Sequence, residues 1–337
     1  MSNPPVYVIV PCYNCAPYVR RCLDSIKDNS YPNLHVLCID DGSVDDSAEI
    51  LESYCLGDGR FSLIKKKNGG LSSARNAGLD AISNPSEGFV TFVDADDYVN
   101  DDFVSAMVNI ALSNDADVVV GSYYLTTTTN EQKSKLAHLN EQTLSGYEAL
   151  LCLLRDEEVT SMAATKMFRL STWGTTRFPE NYCFFEDVAT TFQIVAKSNR
   201  VVLSPYCGYH YYQSNQSSLT KSKMTNDKIK SCWNALLSIY QYSFLRFDET
   251  QSRRIKHDTV PFFFRFFFEY YPHFDKSKDR AYLFDINKYI KCEGLLSAYK
   301  PSSLREKFFK WMHLASPSFH YSLRRCWLMI RGRISNR

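Results

Sequence analysis

Carboxylates crowd where an apolar run ends. Phe89, Val90, Phe92 and Val93 form the kind of stretch a buried strand needs, and Asp94, Asp96 and Asp97 follow at once. Acids packed this densely repel one another and lose hydration unless a cation neutralises them. Mg2+ or Mn2+ suits the set, being a hard ion that prefers oxygen and keeps places for water and phosphate. A lone Asp-X-Asp reads more readily as a solvated turn. Here it closes a buried strand, in a chain where three other strand ends also carry polar groups.

Those other ends are specific. The run Val6–Val10 leads into Pro11, Tyr13 and Asn14, and the run 35–40 closes on Asp40, Asp41, Gly42 and Ser43. A third segment, Asn68 to Gly78, has glycines at its start, Gly70 among them, that permit close backbone approach, and then Arg75 on a helix pattern. Each feature alone has a plain explanation as a turn residue, a helix cap or a surface ion pair. Together they set an aromatic ring, two acids, an arginine and a cation-type cluster on one sheet edge. A nucleoside diphosphate needs those groups. Tyr13 can lie against a base, a carboxylate can accept from its ring N–H, and arginine and metal match the phosphates.

The elements that position these groups alternate. Strand patterns at 6–10, 35–40, 61–64, 88–93 and 117–121 are separated by helix patterns, such as Val19, Cys22, Leu23 and Ile26 at i, i+3, i+4, i+7. Such alternation predicts an α/β fold with a mainly parallel sheet flanked by helices, and ligands then bind beyond the carboxyl ends of the strands. Ser43 and Asp46 resemble a capping box for a helix over 45–54. Residues 126–140 read as a polar loop, helices are expected near 145–154 and 186–198, and the pattern is helical after about residue 222. The expected division is a domain over 1–221 and a helical region over 222–337.

Four segments in order, "VIVPCYN", "IDDGSVDDS", "NGGLSSARNAG" and "VDADDYV", resemble the family 2 glycosyltransferases of the GT-A fold. The likeness continues through "TKMFR" (165–169) and "FFEDVA" (184–189) and covers roughly residues 5–220. It implies an inverting transferase that takes a sugar from a nucleotide-diphosphate donor, with uridine the commoner base, to a saccharide or lipid-linked saccharide in surface polysaccharide synthesis. By position, Asp41 or Asp40 would hold the base, with Pro11, Tyr13, Asn14, Asn68 and Gly70 beside it. Arg75 would face the nucleotide, Asp94 with Ala95 the ribose or the metal, and Asp96 the metal. Asp187, next to Glu186, would be the general base, and Lys166 would contact donor or acceptor or pair with an acid. His210 could approach the metal, although a strand histidine is more often structural. A sugar nucleotidyltransferase is the first alternative, but its glycine-rich loop is absent after strand one. A dinucleotide oxidoreductase is disfavoured because no GxGxxG follows that strand. A non-catalytic sugar- or partner-binding module on the same scaffold is the third.

Net charge is +2, but it is unevenly spread. Residues 1–100 are acid-rich, whereas 300–337 carry many Lys and Arg against the single Glu306. Basic residues alternate with aromatics there, and Phe308, Phe309 and Trp311 beside Lys307 and Lys310 suit a helix lying at a membrane surface. Packing against the core or a second subunit explains the same pattern equally well, and no nucleic-acid motif accompanies it. The eleven cysteines follow no framework and are expected to be reduced, Cys12 and Cys15 included. No signal peptide or spanning segment is apparent, so a cytoplasmic protein, with a peripheral seat on the inner membrane face left open, is expected.

Overall fold

The computed structural model describes residues 3–155, 159–215, 225–255 and 257–259, with Lys307 and Lys310. The chain falls into two compact units, residues 1–221 and 222–337. In the first unit the order is β1 (Val6–Cys12), α1 (Ala16–Lys27), β2 (Leu34–Asp40), α2 (Ser47–Gly57), β3 (Phe61–Lys65), α3 (Leu71–Asp80), β4 (Phe89–Phe92), β5 (Tyr98–Val99), α4 (Phe103–Ser113) and β6 (Val118–Thr126). Then follow β7 (Glu131–Lys133), β8 (Gln142–Leu144), α5 (Gly146–Arg155), β9 (Lys166–Arg169), the single turn α6 (Leu170–Trp173), α7 (Glu186–Lys197) and β10 (Val201–Tyr212). In the second unit the described elements are α8 (Asn226–Arg246) and further helical residues between 249 and 259. Trp311, Phe308 and Phe309, singled out from the sequence, lie outside the described residues.

One ten-stranded sheet runs in the order β3-β2-β1-β4-β9-β6-β10-β5, with β7 on β6 and β8 on β10. The β3-β2-β1-β4 half is parallel, and β9 is inserted antiparallel between β4 and β6. This is a GT-A-type α/β sheet. Its parallel half puts the ends of β1, β2, β3 and β4 on one edge. The antiparallel β9 begins on that same edge, because Thr91 near the end of β4 stands opposite Met167. Val8, Val10 and Val36 are buried in this sheet, together with Val19, Cys22, Leu23 and Ile26 on the inner face of α1. Each such aliphatic side chain contributes about 1.5–3 kcal/mol.

Two local expectations change. Residues 126–140 are not loop throughout: β7 pairs antiparallel with β6, Tyr124 opposite Lys133, and a 3-10 turn over Lys135–His138 buries Leu136. Every residue of β7 is exposed, so this edge strand carries no apolar alternation to read. Nor do Ser43 and Asp46 form a capping box. The helix starts at Ser47 with no side-chain cap bond, and the Ser43 N–H donates to Asp40 Oδ1 instead.

Cys12 and Cys15, expected reduced, are joined in a disulfide, with Cα atoms 6.1 Å apart. Asn14 between them takes φ 50°, the left-handed turn that folds Cys15 back towards the strand end. Cys22, Cys38, Cys55 and Cys207 are free thiols, as expected of a chain without a disulfide framework.

Helix α3 lies close against β1 because Gly78 has no side chain. A Cβ there would stand 2.6 Å from Cγ2 of the buried Ile9. Gly78→Ala is therefore expected to cost about 1–3 kcal/mol of stability. A denaturant midpoint unchanged from wild type would contradict this packing.

Candidate active site

Asp41 organises the entrance to α3. Its carboxylate accepts from Lys66 Nζ at 2.6 Å and from the amides of Gly69 and Gly70 at 2.8–3.2 Å. Gly70 precedes the helix at φ 86°, a conformation that favours glycine. Asp41, the residue expected to meet a base, is 2% exposed and clamps the 66–70 segment. Asp40 is likewise buried and accepts the Ser43 amide.

One turn into α3, Arg75 sits 1% exposed at the centre of an acid cluster. Its Nη2 donates to Asp94 Oδ1 at 2.9 Å. Its Nη1 donates to Glu186 Oε1 at 3.2 Å and Asp187 Oδ1 at 2.5 Å. The Phe178 and Phe92 rings lie 5.2 and 5.9 Å from the guanidinium carbon. Burial works against the charge on Arg75, yet Asp187, Asp94 and Glu186 together hold its pKa above the ordinary value. The arginine expected to face the nucleotide thus has both terminal nitrogens on carboxylates.

Glu186 and Asp187 open α7, where the helix N-terminus favours negative charge. Phe185 before them takes φ 66°, turning the chain sharply into the helix. Burial, with Asp187 adding to it, pushes Glu186 up to about 7. Burial also raises Asp187, against Arg75 and the Ala163 N–H, which donates to Asp187 Oδ2 at 3.0 Å.

The acids after β4 divide by their partners. Asp97 is 1% exposed and held on both oxygens, accepting from Tyr209 Oη at 2.6 Å and the Tyr212 amide at 2.7 Å. Asp96 Oδ2 accepts from Asn215 Nδ2 at 2.8 Å, and its backbone carbonyl accepts from Arg21 Nη2 at 2.7 Å. Arg21 in turn lies against the Tyr98 and Tyr212 rings. Among the described residues, hydrogen bonds from other side chains occupy one oxygen each of Asp94 and Asp96 and leave the second open. Burial raises Asp96, and the neighbouring Asp94 adds to the rise. A divalent cation would relieve that repulsion. No group of three or more His, Cys, Asp or Glu side chains is arranged for a metal among the described residues. The donor set fits an ion that completes its shell with water and phosphate rather than an all-protein cage.

The remaining expected residues gather on the same edge. Pro11 is buried at the end of β1, and Tyr13 is 51% exposed, leaving its ring available. Asn14 Oδ1 accepts the Val44 amide, Asn68 and Gly70 are exposed, and Ala95 is buried beside Asp94. Lys166 is 0% exposed and donates to the Met162 carbonyl at 2.6 Å and Thr160 Oγ1 at 3.3 Å. Burial lowers its pKa to about 7, against the pull of Asp187. His210 is structural, stacked between Tyr98 and Tyr124 with centroids 4.3 and 4.8 Å away and paired with Asn100 and Glu131. Sequence reasoning missed Tyr209, Asn215, Arg21 and Lys66. All four act as donors to the acid loops, and donors have no spacing rule of their own. Dense buried carboxylates nonetheless require such donors somewhere in the chain.

Residues 7–171 match the family described as glycosyl transferase family 2. The chain is 43% identical over 119 residues to the glycosyltransferase GlyA of Streptococcus pneumoniae, covering 35% of this chain and 17% of that protein. It is 33% identical over 120 residues to the glycosyltransferase GlyG of the same organism, covering 35% and 39%. It thus spans well under two thirds of the length of these relatives. The crystal structure of S. aureus TarS 1–349 in complex with UDP-GlcNAc superposes with a TM-score of 0.64 at 20% identity, covering 88% of this chain and 82% of that one. That likeness is one of fold.

Removing Arg75 leaves three poorly hydrated carboxylates without their cation. Arg75→Met is expected to lower stability by about 3–5 kcal/mol. Without the guanidinium the folded acids hold protons more tightly than the unfolded ones, so stability rises as pH falls and the deficit is smaller at pH 5 than at pH 8. Urea midpoints at the two pH values measure it; an equal deficit at both would contradict the charge assignment.

Proposed function

We propose that the protein is an inverting glycosyltransferase, moving a sugar from a nucleotide-diphosphate donor to a saccharide or lipid-linked saccharide in surface polysaccharide synthesis, a reading supported by the match of residues 7–171 to glycosyl transferase family 2. A uridine diphosphate sugar is the favoured donor, because a TarS structure of like fold is a complex with UDP-GlcNAc. The observation that carries the reading is the Arg75 bridge. It joins Asp94, at the end of β4, to Glu186 and Asp187, at the start of α7.

The roles follow from the partners. Tyr13, the exposed ring at the β1 end, receives the base, and Asp41 keeps the neighbouring 66–70 segment in place. Asp94 and Asp96 would hold a divalent cation, which when bound neutralises phosphate charge. Asp187 is the general base. Each of its oxygens accepts one protein hydrogen bond and retains a second lone pair for an acceptor hydroxyl. The hydroxyl proton passes to that carboxylate while its oxygen attacks the anomeric carbon. The bond to the diphosphate breaks on the opposite face, so configuration inverts. A base so placed typically contributes about 10²–10⁴ in rate. Arg75 holds Asp187 in orientation and keeps it partly ionised within a buried setting.

Asp187→Asn is expected to cut turnover by about 10²–10⁴ while leaving donor affinity near wild type. Nucleoside diphosphate release and donor titration check both halves, and full turnover in the variant would remove the base assignment. Asp96→Ala is expected to abolish release with any donor in a panel of nucleotide sugars. Because the base must be ionised and burial holds Asp187 above the ordinary carboxylate value, kcat/KM should fall on the acid side above about pH 4, where a free carboxylate would lose charge. A profile flat down to about pH 4 would contradict this.

A further inference from the structure

Among the described residues of the candidate site, Lys166 is the one fully buried lysine, and its ammonium donates to Met162 and Thr160 with no described carboxylate in direct contact. It opens β9, between β4 and β6, and its own carbonyl accepts from Thr91 Oγ1 at 2.8 Å, so its backbone is locked into the sheet. From there the side chain turns to the segment 160–165 and donates to the Met162 carbonyl at 2.6 Å. The next N–H along the chain, that of Ala163, donates to Asp187 Oδ2 at 3.0 Å.

Those two bonds engage opposite ends of a single peptide unit. The Met162 C=O and the Ala163 N–H share one plane and point in opposite directions, since the bond between them does not rotate freely. Holding the carbonyl therefore aims the N–H. The segment is tied at two more points: Thr191 Oγ1 donates to the Ser161 carbonyl at 2.9 Å, and Thr165, at φ 69°, gives its carbonyl to the Gly121 amide at 2.9 Å. Neither bond sets the rotation of the Met162–Ala163 plane, which is left to Lys166 and Asp187.

We propose that Lys166 is a positioning residue for Asp187, fixing the carboxylate through the Met162–Ala163 peptide rather than by contact with donor or acceptor. The proposal rests on the reading of Asp187 as the base. It explains a lysine buried without a carboxylate on its nitrogen, and it assigns each Asp187 oxygen a separate holder: Arg75 on Oδ1, the Ala163 N–H on Oδ2. Without the lysine only Asp187 itself sets the rotation of the peptide, so the bond that orients the carboxylate and favours its ionised form is weakened. The other charged groups around Asp187 are Arg75 from α3, Asp94 after β4 and Glu186 on its own helix, and none of them replaces that N–H.

The test uses the full chain, a uridine diphosphate sugar and nucleoside diphosphate release, normalised to folded protein by near-UV circular dichroism. Lys166→Met is expected to lower kcat by about ten- to a hundredfold with donor KM within twofold of wild type. It should also move the acid limb of the pH profile to higher pH. Lys166→Arg, which keeps a charged donor, is expected to recover part of kcat and move the limb back. Ala163→Pro deletes the N–H while leaving Lys166 in place and is expected to show the same kcat loss and limb shift, so the idea stays testable should Lys166→Met fold poorly. A rise in donor KM with kcat unchanged would overturn the proposal in favour of direct donor contact. Wild-type kcat and limb position in Lys166→Met, beside an inactive Asp187→Asn, would overturn it while sparing the base. Full activity in Asp187→Asn would remove base and proposal together.

Discussion

A single buried guanidinium facing three carboxylates is the constraint around which this domain is organised. Arg75 is far from Glu186 and Asp187 in sequence, and no local structure could bring them together. The sheet does so, by ending β4 and beginning β9 on the edge where α3 starts. One cation cannot balance three anions. Burial raises the pKa values of Glu186 and Asp187, and the excess of negative charge adds to the rise. Breaking such a group leaves uncompensated charge, which is far more costly than never having built it. That asymmetry ties the geometry of the cluster to the stability of the fold.

The acids of this domain are chemically alike and separated only by their partners. Asp41, bonded by a lysine and two backbone amides, and Asp97, closed in between a tyrosine and a backbone amide, are nearly sealed from solvent and hold loops in shape. Asp94 and Asp96 each retain an open oxygen on the edge beyond β4. Asp187 is held on both oxygens yet keeps lone pairs. Three settings thus arise from one side-chain type, set by which groups bond it and how far solvent reaches it. The Cys12–Cys15 bridge and the Asn14 turn add a covalent restraint at the mouth of β1, beside Tyr13.

Much of this was legible in the sequence. Alternating strand and helix patterns identify the parallel half of the sheet, and the polar residues at strand ends mark the edge where they gather. What escaped was pairing. Arg75 reads as a phosphate ligand because an exposed arginine near such motifs would be one, and only the approach of α7 turns it inward. Asp41 reads as a ligand for the base because the 66–70 amides that bond it belong to a different segment. Tyr209, Asn215 and Arg21 are ordinary polar residues until the acids they serve come into reach. Strand β7, exposed along its whole length, offers no periodicity at all. The sequence reports which residues are costly to bury, but which partners make burial tolerable is a property of the folded chain.

The central claim is that Arg75 stays on the acids and so holds Asp187 across the sugar from the diphosphate. A crystal structure of the full chain with a uridine diphosphate sugar and Mn2+ tests it most directly. The expected result is the diphosphate against the Asp94–Asp96 edge, Arg75 still bonded to Asp94 and Asp187, and the Asp187 carboxylate facing the anomeric carbon on the side away from the leaving group. A guanidinium swung onto the phosphates, or an Asp187 remote from that carbon, would contradict it.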